Sequence, residues 1–357
     1  MVDYTKRGPE GTYFNPPKLK AGIREYWGDG SVTTDQIRER VVELLDTGSW
    51  SSSAKIGSSR DIDPIVRAEM IENIGAPPMR VVSWRTIERL GRIPRSNEGE
   101  AVTVPEAMHE TYERYKDAPK PFDCYSPEQA PFGGAFPPEW SWPLFDSRTG
   151  GMPRVRFVMV SHRWARPSTD NDAHPDFEDN RKAKQLVEYA KKWAEGILQF
   201  ETYFWIDYSC IDQDEKGNNS HGLNGIYTLP LYISTCTGGM VVLGSEEYEG
   251  RAWCRMEQLN FCSFGEMPFF DTLPHPKALG PAAIACGDGH NFKKILQDPR
   301  KGKVTVESDM KHIAVLTDIA AKYYGQSWAR SSFSPTNLDN YNKLEFGKTQ
   351  VHMGSNS

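Results

Sequence analysis

The feature that most constrains the fold is an alternation of strand-like and helix-like segments, which begins at about residue 154. Three short apolar segments predict buried strands: RVRFVMV (154–160), TYFWID (202–207) and GMVVLG (239–244). After the first of them, apolar side chains recur on one helical face at Ala183, Leu186, Val187, Ala190, Ala194 and Ile197. This alternation is typical of an α/β fold, and it predicts a parallel sheet with helices on both faces.

Later segments continue the pattern. A short helix is expected around Pro230, which must lie near the first turn because proline breaks a helix interior. A longer helix follows the third strand and holds Glu257. The segment KVTVES (303–308) predicts a further strand, and residues 309–324 predict a further helix. The polar stretch DQDEKGNNSHGLNG (212–225) is expected to be a long loop.

The first half of the chain predicts short helices. Thr33 and Gln36 have the spacing of a capping box, a second helix starts after Asp63, and a third covers residues 105–116. Two segments on either side of these helices are irregular and rich in Pro and large aromatic residues, namely 1–30 and 117–153. Such arms pack either against this chain or against a partner protein. This half is expected to be a helical and irregular region without chemistry of its own.

Length and charge limit the classes of protein. With 357 residues, of which 25% are charged, the chain is long enough for one or two globular domains. We expect an N-terminal region at 1–151, an α/β domain at 152–325 and an irregular tail at 326–357. The formal net charge of −6 argues against nucleic acid as a partner, because phosphate binding needs clustered Lys and Arg.

The cysteine pattern predicts reduced thiols and a cytoplasmic location. The six cysteines form neither a CxxC pair nor a zinc-ligand spacing. No apolar signal opens the sequence, and no apolar run approaches the roughly 18 residues of a membrane span. Cys210 and Cys254 are either reactive thiols or buried structural ones. No metal site is predicted, because a calcium loop after Asp207 would need a glutamate where Leu223 stands.

The segment EGRAWCRMEQL (249–259) places Glu257 in an unusual helical setting. Trp253 and Cys254 precede it, and Asn260 and Phe261 follow it, at the distances where helix neighbours meet. This is not a solvent-facing pattern. A buried carboxylate is costly unless it is paired or used, so Glu257 is either held by an arginine from elsewhere or functional.

The order of these segments resembles a known family. FVMVSHRW, YFWIDYSCIDQD and MVVLGSEEYEGRAWCRMEQL together are similar to the Toll/interleukin-1 receptor (TIR) domain. WIDYSCIDQD, with IY at 226–227 and VVLG from 241, is also similar to the related fungal heterokaryon-incompatibility (HET) domain. The resemblance covers about residues 154–265.

This resemblance implies a flavodoxin-like fold and one of two functions. Some TIR domains hydrolyse NAD at its nicotinamide glycosidic bond, and their catalytic glutamate corresponds to Glu257. Others act without catalysis, as scaffolds that assemble with protein partners or with themselves. NAD would be a substrate, and no permanently bound cofactor is expected.

The ends of the predicted strands supply the remaining candidate residues, because ligands of such sheets lie beyond the carboxyl ends of the strands. The candidates for NAD binding are Ser161, His162, Arg163, Trp164, Asp207, Tyr248 and Trp253. Trp164 or Trp253 would stack on a ring, and His162 or Arg163 would meet a phosphate. The alternative is structural: Ser161 and His162 cap the following turn, Trp164 fills the core, and Asp207 bonds the backbone.

Overall fold

The structure is a computed structural model of the chain. It describes residues 32–46, 64–115, 155–166, 173–195, 201–213, 220–236, 238–244, 247–264, 270–273, 297–323, 345–346 and 349–350. The chain divides into two compact units, and both are discontinuous: residues 1–157 with 186–228, and residues 158–185 with 229–357. The predicted arms at 1–30 and 117–153 lie outside the described residues. The domain boundaries expected near residues 152 and 325 stay predictions.

The described helices and strands alternate for much of the chain. The α-helices are α1 (Thr34–Asp46), α2 (Pro64–Asn73), α3 (Trp84–Leu90), α4 (Val104–Tyr115), α5 (Arg181–Ala194), α6 (Asp207–Cys210), α7 (Ser220–Tyr227), α8 (Leu229–Thr235), α9 (Ala252–Phe264) and α10 (Asp309–Tyr323). The strands are β1 (Arg80–Ser83), β2 (Val102–Thr103), β3 (Val155–His162), β4 (Glu201–Trp205), β5 (Met240–Leu243), β6 (Phe270–Leu273), β7 (Glu345–Phe346) and β8 (Thr349–Gln350). Within these residues, no helix is long and apolar enough to cross a membrane.

Helices α1, α2 and α4 of the first unit confirm the helices predicted in the first half. At α1 the capping box forms as expected, because the Thr33 amide donates to Gln36 Oε1 at 2.9 Å and the Gln36 amide donates to Thr33 Oγ1 at 3.3 Å. Ile37 and Val41 of this helix are buried.

The first unit also contains antiparallel strands, which the sequence analysis did not predict. Strand β1 pairs antiparallel with β2 on one side and with β4 on the other. A charged residue opens β1, yet Arg80 is buried and donates to the backbone carbonyls of Ser96 and Ala101. The prediction of a first half built only from helices and irregular segments is therefore wrong.

The second unit contains a parallel sheet. Strand β5 pairs in parallel with β3, with Ser161 opposite Val242 and His162 opposite Leu243. Strand β6, which was not predicted, pairs in parallel with the other edge of β5. The predicted strand at 303–308 is wrong: Lys303 makes a single bridge to Arg251, and the residues after it turn into α10.

Two observations settle the fold class. Both units combine helices with strands, so the prediction of an α/β fold is confirmed. Strands β1, β2 and β4 pair antiparallel, whereas β3, β5 and β6 pair in parallel, so the prediction of a wholly parallel sheet is wrong.

The polar stretch at 212–225 is partly helical and was wrongly predicted to be a loop throughout. Its last residues belong to α7, which packs against α1. Gly225 lies close to Ile211, because a Cβ atom there would come within 3.2 Å of the Ile211 side chain. Gly225 therefore allows α7 to lie close to Ile211, which polarity alone did not predict. Residues 214–219 lie outside the described residues.

Candidate functional site

Glu257 lies on a helix that is buried along most of its length. Helix α9 packs against α8 and α10, and Met256 and Leu259, on either side of Glu257 in sequence, are fully buried. Glu257 itself is 7% exposed, so the prediction that it does not face solvent is confirmed. Ionised carboxylates lose water at such a position and need hydrogen-bond donors in compensation.

Ser161 supplies one of those donors. Its hydroxyl donates to Glu257 Oε2 at 2.6 Å, and Ser161 is fully buried next to the carboxyl end of β3. The two residues are 96 positions apart in the sequence, and the pairing of β3 with β5 brings the strand end to the helix that follows β5. The alternative in which the Ser161 hydroxyl caps the following turn is wrong, because that hydroxyl bonds Glu257 and Tyr248 instead.

Tyr248 and Gln258 complete a hydrogen-bonded group. The Tyr248 hydroxyl lies 2.5 Å from Ser161 Oγ, and Gln258 Nε2 donates to the Tyr248 hydroxyl at 3.3 Å. Both side chains are buried. We call Ser161, Tyr248, Glu257 and Gln258 the Glu257 cluster.

The electrostatics of the cluster keep Tyr248 neutral. Burial raises the pKa of the Tyr248 hydroxyl well above its ordinary value, and the neighbouring Cys254 and Glu257, whose ionised forms repel a phenolate, raise it further. The hydrogen bonds with Ser161 and Gln258 act in the opposite direction and are the smaller effects. Tyr248 therefore retains its hydrogen and is available as a donor.

The segment after β3 is tied to the segment before α9 by a second contact. Arg163 Nη2 lies 2.8 Å from Glu247 Oε2, and Glu247 directly precedes Tyr248. The backbone carbonyl of Arg163 accepts a hydrogen bond from the buried Lys182 ammonium. The SHRW segment and the segment around Tyr248 thus lie together, and the prediction that DYSCIDQD (207–214) gathers at the same place stays a prediction.

His162 and Trp164 flank Arg163. His162 is the last residue of β3 and is buried, whereas Trp164 is half-buried and so does not fill the core as the structural alternative required. Their predicted roles toward a phosphate and a ring stay predictions.

Two predicted site residues are held by contacts within their own units. Asp207 belongs to the first unit and opens α6, where its Oδ1 accepts from the Tyr208 amide at 2.6 Å. This confirms the alternative in which Asp207 bonds the backbone. The indole Nε1 of Trp253 donates to Asp309 Oδ2 at 2.9 Å, which fixes the start of α9 to the start of α10.

The candidate thiols are buried. Burial raises the pKa of Cys210 to about 12, so this thiol stays protonated at neutral pH and is a poor nucleophile. Cys254 is also buried. These observations favour the structural interpretation of both cysteines.

Gln258 is the member of the Glu257 cluster that the sequence analysis missed. The sequence did indicate that Gln258 needs a partner, because consecutive residues point about 100° apart on a helix and α9 is apolar on most sides. Two adjacent polar residues on such a helix both require partners inside the protein. Within the described part of the chain, no group of three or more His, Cys, Asp and Glu residues is placed to hold a metal ion.

Comparison with known proteins gives no family assignment. No protein-family model matches the chain, and no curated protein or solved structure matches it significantly. The residues of the site therefore carry what can be inferred about function.

Proposed function

We propose that the second unit cleaves NAD, or a related nucleotide, at the nicotinamide glycosidic bond with Glu257 as the catalytic carboxylate. The observation that carries the proposal is the 2.6 Å hydrogen bond that Ser161, next to the end of a parallel strand, donates to this buried carboxylate. The proposal includes membership of the TIR/HET-like class, a flavodoxin-like arrangement with helices on both faces of the sheet, and a cytoplasmic role in signalling or defence.

The chemistry needs only one carboxylate. Glycosidases generally use a second carboxyl group to protonate the leaving group. In NAD, the bond between ribose C1′ and the pyridinium nitrogen breaks with its electron pair on nitrogen, so nicotinamide leaves as a neutral molecule. The carboxylate of Glu257 stabilises the positive charge that develops on the ribose ring, and water then adds to C1′ with release of a proton.

The residues after β3 supply the binding contacts in this proposal. Arg163 is paired with Glu247, whose side chain is 66% exposed, and a surface ion pair of this kind is weak. A phosphate can therefore replace Glu247 as the partner of Arg163, and Arg binds phosphate with two parallel hydrogen bonds. Trp164 is half-buried and offers a ring face for stacking.

Nicotinamide release measures the proposed activity directly. The full chain is incubated with NAD over a range of protein concentrations, because TIR-type catalysis depends on assembly. We expect release by the parent and a loss of at least about 100-fold in Glu257→Gln, since it removes the charge that stabilises the transition state. Glu249→Gln is the matched control, because Glu249 is exposed and lies in the same segment. Absence of release at every concentration, or equal release by Glu257→Gln, contradicts the proposal.

A second candidate function is a non-enzymatic scaffold that uses the same fold. It is favoured by the internal contacts of the site, since Ser161 already bonds Glu257 and Asp309 already holds Trp253. A scaffold self-associates, or binds a protein partner, equally well with Glu257→Gln and without NAD. Light scattering of both forms, with and without NAD, separates this function from the enzymatic one.

A further inference from the structure

We propose that Tyr248 is a positioning residue for Glu257, which acts by fixing the direction of the Ser161 hydroxyl through a one-way chain of hydrogen bonds that begins at Gln258. The consequence for catalysis rests on the proposed function. The direction of the hydrogen bonds does not rest on it, because that direction is inferred from the contacts of the Glu257 cluster and from an ionised Glu257.

The order of donors follows from counting hydrogens. An ionised Glu257 only accepts, so the single hydrogen of Ser161 is given to Glu257 Oε2 across 2.6 Å. Ser161 Oγ must then accept from Tyr248 across 2.5 Å, which uses the single hydrogen of Tyr248. Tyr248 in turn accepts from the amide of Gln258 at 3.3 Å. The three hydrogens that link Gln258, Tyr248, Ser161 and Glu257 therefore all point toward the carboxylate.

The reverse order does not satisfy the cluster. If Glu257 were protonated and donated to Ser161, Ser161 would donate to Tyr248, which also accepts from Gln258. The hydrogen of Tyr248 would then point at neither of its two cluster partners, and a buried hydroxyl without an acceptor is unfavourable. Hydrogen bonds to the charged form stabilise that form, so donation by Ser161 acts in favour of the carboxylate.

Tyr248 is suited to the central place in this chain. Its pKa is raised by burial, so it keeps the hydrogen that it must donate. It also lies one residue after Glu247, the partner of Arg163.

The test reads the carboxylate itself rather than the reaction. The infrared difference spectrum between the full-length parent and Glu257→Gln, at neutral pH, isolates the carboxylate stretch of Glu257. We expect an ionised carboxylate in the parent. We expect that band to shift in Ser161→Ala, which removes the donor, and to shift in the same direction in Tyr248→Phe. Each variant is compared with its own double variant carrying Glu257→Gln.

The controls separate an effect of the hydrogen-bond direction from general damage to the folded protein. Tyr203→Phe removes another buried tyrosine hydroxyl, in the first unit, and should leave the Glu257 band unchanged. Gln258→Leu keeps Tyr248 and should give a smaller shift of the band. It therefore tests the chain of hydrogen bonds even where Tyr248→Phe folds poorly. A band of protonated carboxyl in the parent overturns the proposal, as does an unchanged band in Tyr248→Phe or, where that variant is unfolded, in Gln258→Leu.

The enzymatic readout is separate from the spectroscopic one. With NAD, Tyr248→Phe should lower kcat about tenfold and leave KM nearly unchanged, because one hydrogen bond in the supporting chain is lost. Absence of nicotinamide release by the parent rejects the proposed function and leaves the infrared result standing. An unchanged infrared band with active parent protein rejects the positioning role and leaves the function standing.

Discussion

A single buried aspartate, Asp176, organises the start of helix α5. Asp176 is fully buried, and its carboxylate accepts from the amides of Phe177 at 2.7 Å, Lys182 at 3.0 Å and Ala183 at 2.8 Å. The last two amides belong to the first turn of the helix, whose N–H groups have no acceptor inside the helix. The buried ammonium of Lys182 also donates to the carbonyl of Arg163, so this turn supports the segment that follows β3.

Replacing Asp176 should therefore destabilise the protein. We expect Asp176→Ala to lower the free energy of unfolding by about 2 kcal/mol, because buried amides lose a charged acceptor. Urea unfolding followed by circular dichroism measures the change. Asp179→Ala is the control, since Asp179 pairs with Arg181 at the same helix end but is exposed, and little change is expected. Equal effects of the two substitutions would contradict this account.

At the scale of elements, long apolar segments were predicted correctly and short or polar ones were not. Strands β3, β4 and β5 are buried at every residue, and continuous apolar runs of this kind are the strongest strand signal. Strand β1 opens with Arg80 and ends with Ser83, so it contains only two consecutive apolar residues and gives no strand signal. The segment at 303–308 alternates as a strand does, but Val306 is 39% exposed and the segment has only one bridge. Alternation predicts a strand only where one face becomes buried.

The β-bridge between Arg251 and Lys303, just before helix α9, depends on a glycine. A Cβ atom at Gly302 would come within 2.5 Å of the backbone of Ala252, the first residue of α9. The neighbouring backbones are joined by two hydrogen bonds, from the Ala252 amide to the Lys303 carbonyl at 3.0 Å and from the Lys303 amide to the Gly250 carbonyl at 2.8 Å. Only glycine permits this approach without displacing the start of the helix that carries Glu257.

Gly302→Ala should accordingly lower the free energy of unfolding by about 2 kcal/mol, the usual range for an added methyl group in a packed site. Gly250→Ala is a close control, because a Cβ atom there would meet nothing within 4 Å. Paired thermal and urea unfolding curves test the difference. A destabilisation by Gly250→Ala as large as that by Gly302→Ala would show that the close approach is not the cause.

At the scale of the whole chain, the sequence located the important carboxylate but not its surroundings. The spacing of Trp253, Cys254 and Phe261 was enough to predict that Glu257 is buried, because helix periodicity is local. The contact with Ser161 joins residues 96 positions apart and depends on which strands pair. Strand order is not encoded in local periodicity, so the partner of Glu257, and with it the role of Tyr248, needed the tertiary structure.

The free energy of unfolding should decrease at alkaline pH, because both units bury groups that ordinarily lose a proton there. Burial raises the pKa of Cys210 from an ordinary 9.0 to about 12 and raises the pKa values of Tyr203 and Tyr248 above an ordinary 10.0. Above pH 9 the unfolded chain loses these protons while the folded chain keeps them. The folded state then binds more protons, so the free energy of unfolding must fall as the pH rises.

Urea unfolding at pH 8, 9, 10 and 11 should therefore show full stability at pH 8 and a progressive loss that begins near pH 9. Cys210→Ala removes one of the responsible groups, so its stability should fall less steeply than that of the parent between pH 9 and pH 11. Its lower stability at pH 8, from the lost packing, does not affect this comparison of slopes. Constant stability of the parent up to pH 11, or identical slopes for the two proteins, would mean that these groups are not protected from solvent as the structure indicates.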